Sequence, residues 1–203
     1  MFYREAIESD TLELLKKINS NSYFKNVRLV GGTALALQTG HRKSVDLDFF
    51  GSFYPDEYEV SKAIQTYGDI KKLHSTPNIF VFSINNIKVD FVNYSYPWIE
   101  DIMYINGLKL AGKKDIGAMK LAAIAGRGTK KDFVDLYFLL KEFSLKELLD
   151  FYSQKYNDGN IFMVLRSLNY FEDADKDDIQ MIKNVSWEVI KNNIIEHHKD
   201  FLL

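Results

Sequence analysis

The sequence contains no cysteine, and this absence excludes disulfide bonds, thiolate zinc sites and a cysteine nucleophile. It also lacks an apolar run close to the roughly 18 residues that predict a membrane span. The first ten residues have no basic stretch leading into an apolar one, so no signal peptide is predicted. These absences favour a cytoplasmic protein without a membrane partner.

An excess of charge of one sign is missing as well, since the formal net charge is only −2. This balance is not typical of a protein that coats nucleic acid. The charge is unevenly distributed, however, because the segment from Lys109 to Lys131 carries seven basic residues and one acidic residue. A local basic surface suits a polyanionic ligand bound at one place, although a solvated helix face is the alternative interpretation.

The sequence contains enough hydrophobic residues to form a packed core, since they make up 46% of its 203 residues. Strand-like runs and short helices alternate up to about residue 98, and helical spacing dominates from residue 113 onward. The predicted fold class is α+β, with an α/β part at residues 1–110 and a helical part at residues 111–203. The predicted strands are 27–31, 45–50, 70–74, 79–84, 87–94 and 108–110, and the predicted C-terminal helices are 113–126, 130–142, 145–157, 160–170 and 186–200.

The most informative motif is Gly31-Gly32-Thr33, followed fourteen residues after Gly32 by Asp46-Leu47-Asp48. In an extended strand the two aspartates face the same way, while Val45, Leu47 and Phe49 can face a core. Paired carboxylates repel each other unless a cation holds them, and oxygen ligands suit Mg²⁺. A glycine turn beside them lets main-chain amides approach a phosphate. The motif therefore predicts nucleotide chemistry on a metal ion.

Asp90 is the third candidate carboxylate, and it shares a strand face with Lys88 and Val92. If its strand lies beside strand 45–50, three carboxylates converge, as two-metal nucleotidyl transfer requires. Asp90 would then be a third metal ligand and the group that accepts a proton from, or orients, the nucleophile. The alternative is an edge-strand aspartate that points at solvent.

Lys120 and Arg127 are seven residues apart and therefore lie on nearly the same face of a helix. A lysine and a guanidinium in this arrangement suit triphosphate oxygens, although they are also compatible with two ordinary surface cations. Asp132 and Asp135 open the next helix. Asp132 is a possible cap of that helix, and Asp135 is a possible partner of Arg127 or Lys131.

Three further residues flank the glycine and aspartate motifs. The Thr33 hydroxyl is able to bind a phosphate or to cap a helix. Arg42 is able to contact a phosphate or to neutralise Asp46. His41 is expected to be a solvated loop histidine rather than a catalytic one.

The sequence resembles the nucleotidyltransferases of the AbiEii/AbiGii abortive-infection toxin family. The first part of the resemblance lies in Leu29–Leu37 and Gly40–Phe50, which carry the glycine pair and the paired aspartates. The second part lies in Lys120–Arg127 and Lys131–Tyr137. Together these motifs span roughly residues 25–140, and the last sixty residues add only helical content.

The resemblance implies a polymerase-β-like nucleotidyltransferase core, with a mixed sheet and flanking helices, followed by a helical C-terminal part. It implies metal binding by Asp46, Asp48 and Asp90, with two Mg²⁺ ions during turnover and an NTP as substrate. It implies nucleotide contacts by a set of six residues, Gly31, Gly32, Thr33, Arg42, Lys120 and Arg127. Asp132 or Asp135 would order the helix that carries part of this set.

The implied function is that of a toxin, restrained by a cognate antitoxin, that transfers NMP to an acceptor hydroxyl such as a tRNA end. Two alternatives remain from the sequence. The acceptor could be a small molecule or a protein side chain, or the fold could serve a non-catalytic binding or regulatory protein. The net-acidic surface outside residues 109–131 favours a small or cationic acceptor over RNA.

Overall fold

A mixed sheet of seven strands forms the centre of the first of two units in the computed structural model, which describes all 203 residues. The first unit comprises Met1–Gln38, Ser44–Ser95 and Ile102–Ala111. The second comprises Thr39–Lys43, Tyr96–Asp101 and Gly112–Leu203, and its regular elements are helical. The predicted α+β class, with a mixed sheet and a helical C-terminal part, is confirmed.

Apart from the strand at Met103–Ile105, the strands and helices follow each other in the order that the sequence patterns predict. The strands are β1 (Val27–Leu29), β2 (Leu47–Gly51), β3 (Ile70–Ser75), β4 (Ile79–Ile84), β5 (Ile87–Asn93), β6 (Met103–Ile105) and β7 (Leu108–Leu110). The helices are α1 (Ser9–Ser20), α2 (Gly31–Thr39), α3 (Glu57–Ile64), α4 (Lys113–Gly126), α5 (Lys130–Leu139), α6 (Leu145–Lys155), α7 (Ile161–Ser167) and α8 (Trp187–Leu202). No helix is both long enough and apolar enough to cross a membrane.

The strand order across the sheet is β3-β4-β5-β2-β1-β7-β6. The central pair, β2 and β5, is parallel, whereas β1 runs antiparallel to β2. The strand that carries Asp48 therefore lies directly beside the strand that carries Asp90, as the sequence pattern required for a shared site.

Alternation along β2 separates a core face from a site face. Leu47 and Phe49 are buried, whereas Asp48 between them is half-buried. On the core side Phe91 stacks on Phe24 and on Phe49, with ring centroids 4.3 and 5.7 Å apart. The expectation that Val45 faces the core is wrong, because Val45 precedes β2 and its residue surface is 61% exposed. Strand alternation does not apply there.

Two tight turns close hairpins of the sheet. Asn85 and Asn86, between β4 and β5, both have positive φ, as the predicted hairpin turn requires. Asn106 and Gly107 make a similar turn between β6 and β7. The sequence interpretation omitted β6, although an Asn-Gly pair before an apolar run is a strong hairpin signal.

In the second unit α4 packs against α5, α6 and α7. A buried ion pair joins α6 to the start of α4, since Lys155 Nζ lies 2.7 Å from Asp115 Oδ1 with both side chains fully buried. The same ammonium donates to the main-chain oxygen of Pro97, and Asp115 accepts from the amides of Ile99 and Glu100. This pair anchors the segment Tyr96–Asp101 to the helices of its unit.

Candidate active site

The glycine turn brings the main chain against the carboxylate of Asp48. Gly31 opens α2 with φ +66°, and a Cβ atom built on it would lie 2.6 Å from Asp48 Oδ2. The amide of Val30 donates to the main-chain oxygen of Asp48 over 2.8 Å. Only glycine combines this positive φ with so close an approach, so the turn and the aspartate form one structural unit.

Thr33 holds the segment that carries Asp46. Its side chain is buried, and its hydroxyl donates to the main-chain oxygen of Asp46. Because that bond uses its one proton, the Ser44 hydroxyl donates to Thr33 in the 2.8 Å contact between the two. The Thr33 hydroxyl thus fixes the main chain just before β2.

Asp48 and Asp90 are direct register partners on the parallel strands β2 and β5. Neighbouring strands lie about 4.8 Å apart, and side chains in register point to the same face. Asp90 also receives both hydrogen bonds of a close ion pair, because Lys88 Nζ lies 2.6 and 2.7 Å from its two carboxylate oxygens. Lys88 and Asp90 are two residues apart on β5 and therefore share a face.

The three carboxylates do not form the single cluster that the sequence predicted. The structure contains no group of three or more His, Asp or Glu side chains placed to hold a metal ion. Asp46 lies before the first residue of β2, so strand alternation does not fix its direction. Both oxygens of Asp90 accept from the Lys88 ammonium. The donor set of half-buried carboxylate oxygens nevertheless has the chemistry that Mg²⁺ prefers.

A second polar group lies in the helical unit, where Asp132 gathers three donors. Lys120 Nζ of α4 lies 2.9 Å from Asp132 Oδ1, and Arg127 Nε, just beyond α4, lies 3.1 Å from Oδ2. The hydroxyl of Thr129, the N-cap of α5, donates to Asp132 Oδ2 over 2.6 Å. Lys120 and Arg127 therefore meet at one carboxylate, but Lys120 is buried while the Arg127 side chain is 61% exposed.

Asp135, one turn further along α5, shares Lys120 with Asp132 and binds two further side chains, Arg42 and His41, in the same unit. Arg42 donates to it twice, from Nε over 2.7 Å and from Nη2 over 2.9 Å. Lys120 Nζ lies 2.6 Å from its Oδ2, and His41 Nε2 lies 2.7 Å from its Oδ1. We call His41, Arg42, Lys120, Asp132 and Asp135 the buried charge network, since each of these residues is at most 4% exposed.

The pKa values of the network follow from competition between burial and charge. Burial opposes ionisation of Asp132, but Lys120 and Arg127 outweigh it and lower the pKa of Asp132 to about 2. Burial opposes the charge of Asp135 too, and Arg42 and Lys120 hold its pKa well below the ordinary value. Burial lowers the pKa of His41 despite its contact with Asp135, so His41 is neutral at pH 7.

The observed position of His41 differs from the one expected from the sequence. The expectation of a solvated His41 is wrong, because its ring is fully buried between Thr39 and Asp135. No spacing in the sequence signals this, since the partner lies 94 residues away. Arg42 and Asp135 pair with each other in the structure. The sequence interpretation noted that Lys88 shares a face with Asp90 but gave Lys88 no role.

Sequence comparison connects this arrangement to a known family. The sequence pattern of the family described as "Nucleotidyl transferase AbiEii toxin, Type IV TA system" matches residues 13–201. The match includes the glycine turn, all three aspartates and the buried charge network. The chain belongs to the AbiEii nucleotidyltransferase toxin family. The resemblance of the motifs is thereby confirmed, and the protein is a nucleotidyltransferase of a toxin family.

Individual proteins similar to this AbiEii family member are found in several bacteria. "Uncharacterized protein aq_aa25" of Aquifex aeolicus (strain VF5) is 35% identical over 204 residues, covering 97% of this chain and 98% of its own. The crystal structure of JHP933 from Helicobacter pylori superposes with a TM-score of 0.60 at 18% identity, covering 98% of this chain and 92% of that one. The nucleotidyltransferase toxin MenT4 from Mycobacterium tuberculosis H37Rv gives a TM-score of 0.58 at 12% identity, with coverages of 94% and 84%. The two solved structures show that the fold is shared.

Proposed function

We propose that this AbiEii family member is a Mg²⁺-dependent enzyme that transfers NMP from an NTP to an acceptor hydroxyl, such as the end of a tRNA. The observation that carries the proposal is the pairing of Asp48 with Asp90 on adjacent parallel strands, with the Gly31 turn against Asp48. Carboxylates held side by side next to an open glycine turn combine metal ligands with main-chain phosphate donors.

Asp46, Asp48 and Asp90 are the proposed holders of two Mg²⁺ ions, which would draw together carboxylates that do not form one cluster without them. The ions, when bound, neutralise the triphosphate and lower the pKa of the acceptor hydroxyl. Thr33 keeps the segment of Asp46 in place through its bond to the main-chain oxygen. Asp90 orients the acceptor hydroxyl and accepts its proton as the oxygen attacks the α-phosphorus and pyrophosphate leaves.

The proposed nucleotide contacts fall into two groups according to burial. The main-chain amides of Gly31 and Gly32 open α2, where a helix N-terminus favours phosphate oxygens, and they are proposed to contact the nucleotide directly. The Arg127 side chain, in the helical unit, is exposed although Asp132 accepts from it, and it is a proposed contact as well. Arg42 and Lys120 lie within 3 Å of buried carboxylates, so a phosphate reaches them only if a carboxylate gives way. Within the helical unit, Asp132 and Asp135 hold those two cations.

A cognate antitoxin is the proposed partner, and membership of a toxin–antitoxin family supports it. The same chemistry is compatible with more than one acceptor. A small molecule or a protein side chain as acceptor keeps the same chemistry, whereas a non-catalytic binding protein would use the fold without turnover. The presence of all three aspartates favours turnover.

The test incubates the protein with each labelled NTP and Mg²⁺, with and without total tRNA. Transfer of label to tRNA, abolished in the Asp46→Ala/Asp48→Ala variant and in Asp90→Asn, is the expected result. Asp69→Asn is the matched control, because Asp69 is an exposed aspartate whose only ion pair is with the equally exposed Lys71. This control should transfer label like the wild type.

Each other outcome overturns a defined part of the proposal. Label on the protein itself, or on a small molecule added in place of tRNA, replaces the RNA acceptor and keeps the chemistry. Transfer that persists after removal of divalent metal contradicts the metal dependence. No labelled product with any acceptor, from protein that binds NTP, favours the binding protein.

A further inference from the structure

A surface cavity of about 390 Å³ lies at the end of α4 in the helical unit. Its lining includes Gly126 and Arg127 from the end of α4, Met163 and Arg166 from α7, and Tyr170 from the turn after α7. The volume is within the roughly 300–1,000 Å³ of small-ligand pockets, near the lower limit. It suits one nucleotide rather than a duplex.

The side chains of the cavity combine two cations with an aromatic ring. Arg127 and Arg166 are both exposed, and no hydrogen bond or ion pair within the chain engages Arg166. Tyr170 is 53% exposed, and the carboxylates Asp173 and Glu172 raise the pKa of its phenol, which therefore stays uncharged at pH 7. An exposed aromatic ring and an unpaired guanidinium in one cavity are typical of single-stranded nucleic-acid sites. The base stacks on the ring, and the backbone phosphate binds the guanidinium.

Other lining groups give the cavity apolar and hydrogen-bonding surface. Met163, which is 42% exposed, and Ile124 supply apolar side chains. Asn169 adds a side-chain amide, which also contacts His198 Nδ1 at 2.8 Å. A base bound here would find a stacking surface and a polar edge together.

Gly126 leaves the floor of the cavity open. A Cβ atom built on this helical residue meets no atom within 4 Å, unlike those of Gly31 or Gly117 in the same chain. A side chain at position 126 would therefore enter free space without disturbing packing. This position offers a way to fill the cavity while leaving the fold intact.

We infer that this cavity binds one unpaired nucleotide of a single-stranded RNA acceptor, with the base on Tyr170 and its phosphodiester on Arg166. The inference rests on the proposed function for the identity of the acceptor. The charge of the cavity favours RNA over the NTP substrate. The lining contains one carboxylate, Asp173, and Arg127 already binds Asp132. Arg166 is therefore the main cation that the cavity presents to a ligand. A phosphodiester carries one negative charge, whereas a triphosphate carries several.

The experiment measures binding of a short fluorescently labelled single-stranded RNA by anisotropy, and binding of labelled NTP by equilibrium dialysis. Tyr170→Ala should weaken RNA binding roughly tenfold, while Tyr170→Phe, which keeps the ring, should bind like the wild type. Arg166→Gln should lower the slope of log affinity against log salt by about 0.7, as expected for one lost phosphate contact on a single strand.

Filling the cavity provides an independent variant. Gly126→Leu should reduce RNA affinity, whereas Gly126→Ala, which adds one methyl group, should preserve it. NTP binding should remain unchanged in Tyr170→Ala and Arg166→Gln, because neither residue is among the proposed nucleotide contacts. Unaltered RNA affinity in Tyr170→Ala and Gly126→Leu, or loss of NTP binding in place of RNA binding, would overturn the inference.

Two further outcomes separate the inference from the proposed function. If the variants transfer label to RNA as well as the wild type does, the cavity assignment is wrong and the proposed function stands. If the wild type binds RNA through this cavity but transfers label to no acceptor, the proposed function fails and the cavity assignment stands. Equal affinity for a duplex of the same sequence also overturns the inference, since a paired base cannot enter the cavity.

Discussion

Lys88 Nζ lies 2.6 and 2.7 Å from the two carboxylate oxygens of Asp90, two residues further along the same strand. The ion pair is partly exposed, with 45% of the Lys88 side chain and 20% of the Asp90 side chain accessible. An ammonium in this place competes with a divalent cation for the same oxygens. If Asp90 is a metal ligand, as proposed, Lys88 should weaken its binding of the metal.

Replacing Lys88 with methionine should therefore strengthen metal binding. We expect the dissociation constant for Mn²⁺, a spectroscopic substitute for Mg²⁺, to fall roughly fivefold, in line with the ~1 kcal/mol upper range of partly exposed ion pairs. Electron paramagnetic resonance of free Mn²⁺ measures this without turnover. Lys88→Arg keeps the charge and should resemble the wild type, and equal Mn²⁺ affinity in Lys88→Met would show that the pair does not compete.

Asp135→Asn should destabilise the protein strongly. The change removes a buried negative charge and leaves Arg42 and Lys120 without their main counter-charge, at a cost of about 3–5 kcal/mol. Urea unfolding followed by circular dichroism gives the free energy of unfolding. Asp150→Asn is the matched control, because the Asp150 side chain is 56% exposed and pairs with Lys146, so its loss should cost at most ~0.5 kcal/mol. Similar values for the two variants would contradict the role of the buried charge network.

The stability of the protein should fall in acid partly through Asp132. Its pKa is lowered to about 2 in the folded protein, against about 3.9 for an unfolded aspartate. The resulting stabilisation, roughly 2.5 kcal/mol, is present above about pH 4 and is lost as the pH falls toward 2. Asp132→Asn should flatten the pH dependence of the unfolding free energy between pH 4 and pH 2. An unchanged slope in that window would place the acid sensitivity elsewhere.

Gly31→Ala should impair the proposed active site as well as the backbone. Alanine at φ +66° costs about 1–2 kcal/mol, and its methyl group would lie 2.6 Å from Asp48 Oδ2. Gly107→Ala separates the two effects, because Gly107 has φ +76° but its Cβ would meet no atom within 4 Å. Both variants should lose thermal stability, whereas only Gly31→Ala should weaken Mn²⁺ binding. A Gly107-like result for Gly31 would mean that Asp48 moves aside freely.

Much of the fold follows from local patterns in the sequence. Alternation around Asp48 and Asp90 identified both strands, and apolar spacing placed the helices of the second half within a few residues of their ends. These features depend on neighbours along the chain, as propensity and periodicity do. Strand β6 is equally local in origin, since the Asn106-Gly107 pair before an apolar run is a hairpin signal in the sequence.

The candidate site was predictable only in part. The pairing of strands β2 and β5 was a condition of the predicted site, and the register of Asp48 with Asp90 meets that condition. The direction of Asp46 does not follow, because it depends on where β2 begins and on the buried Thr33 hydroxyl. The contacts of His41 and Arg42 with Asp135 span more than ninety residues, and no pattern of spacing encodes such a contact.

The bond from Arg42 to Asp135 also constrains how the chain folds during synthesis. Arg42 leaves the ribosome 93 residues before the aspartate that neutralises it inside the protein. Before α5 is synthesised, burial of this guanidinium would leave a charge without a counter-ion in the protein interior. The segment around residue 42 is therefore expected to stay exposed to solvent until then. We therefore expect nascent chains that end before α5 to remain sensitive to protease around residue 42, even where the strands of the sheet have already paired.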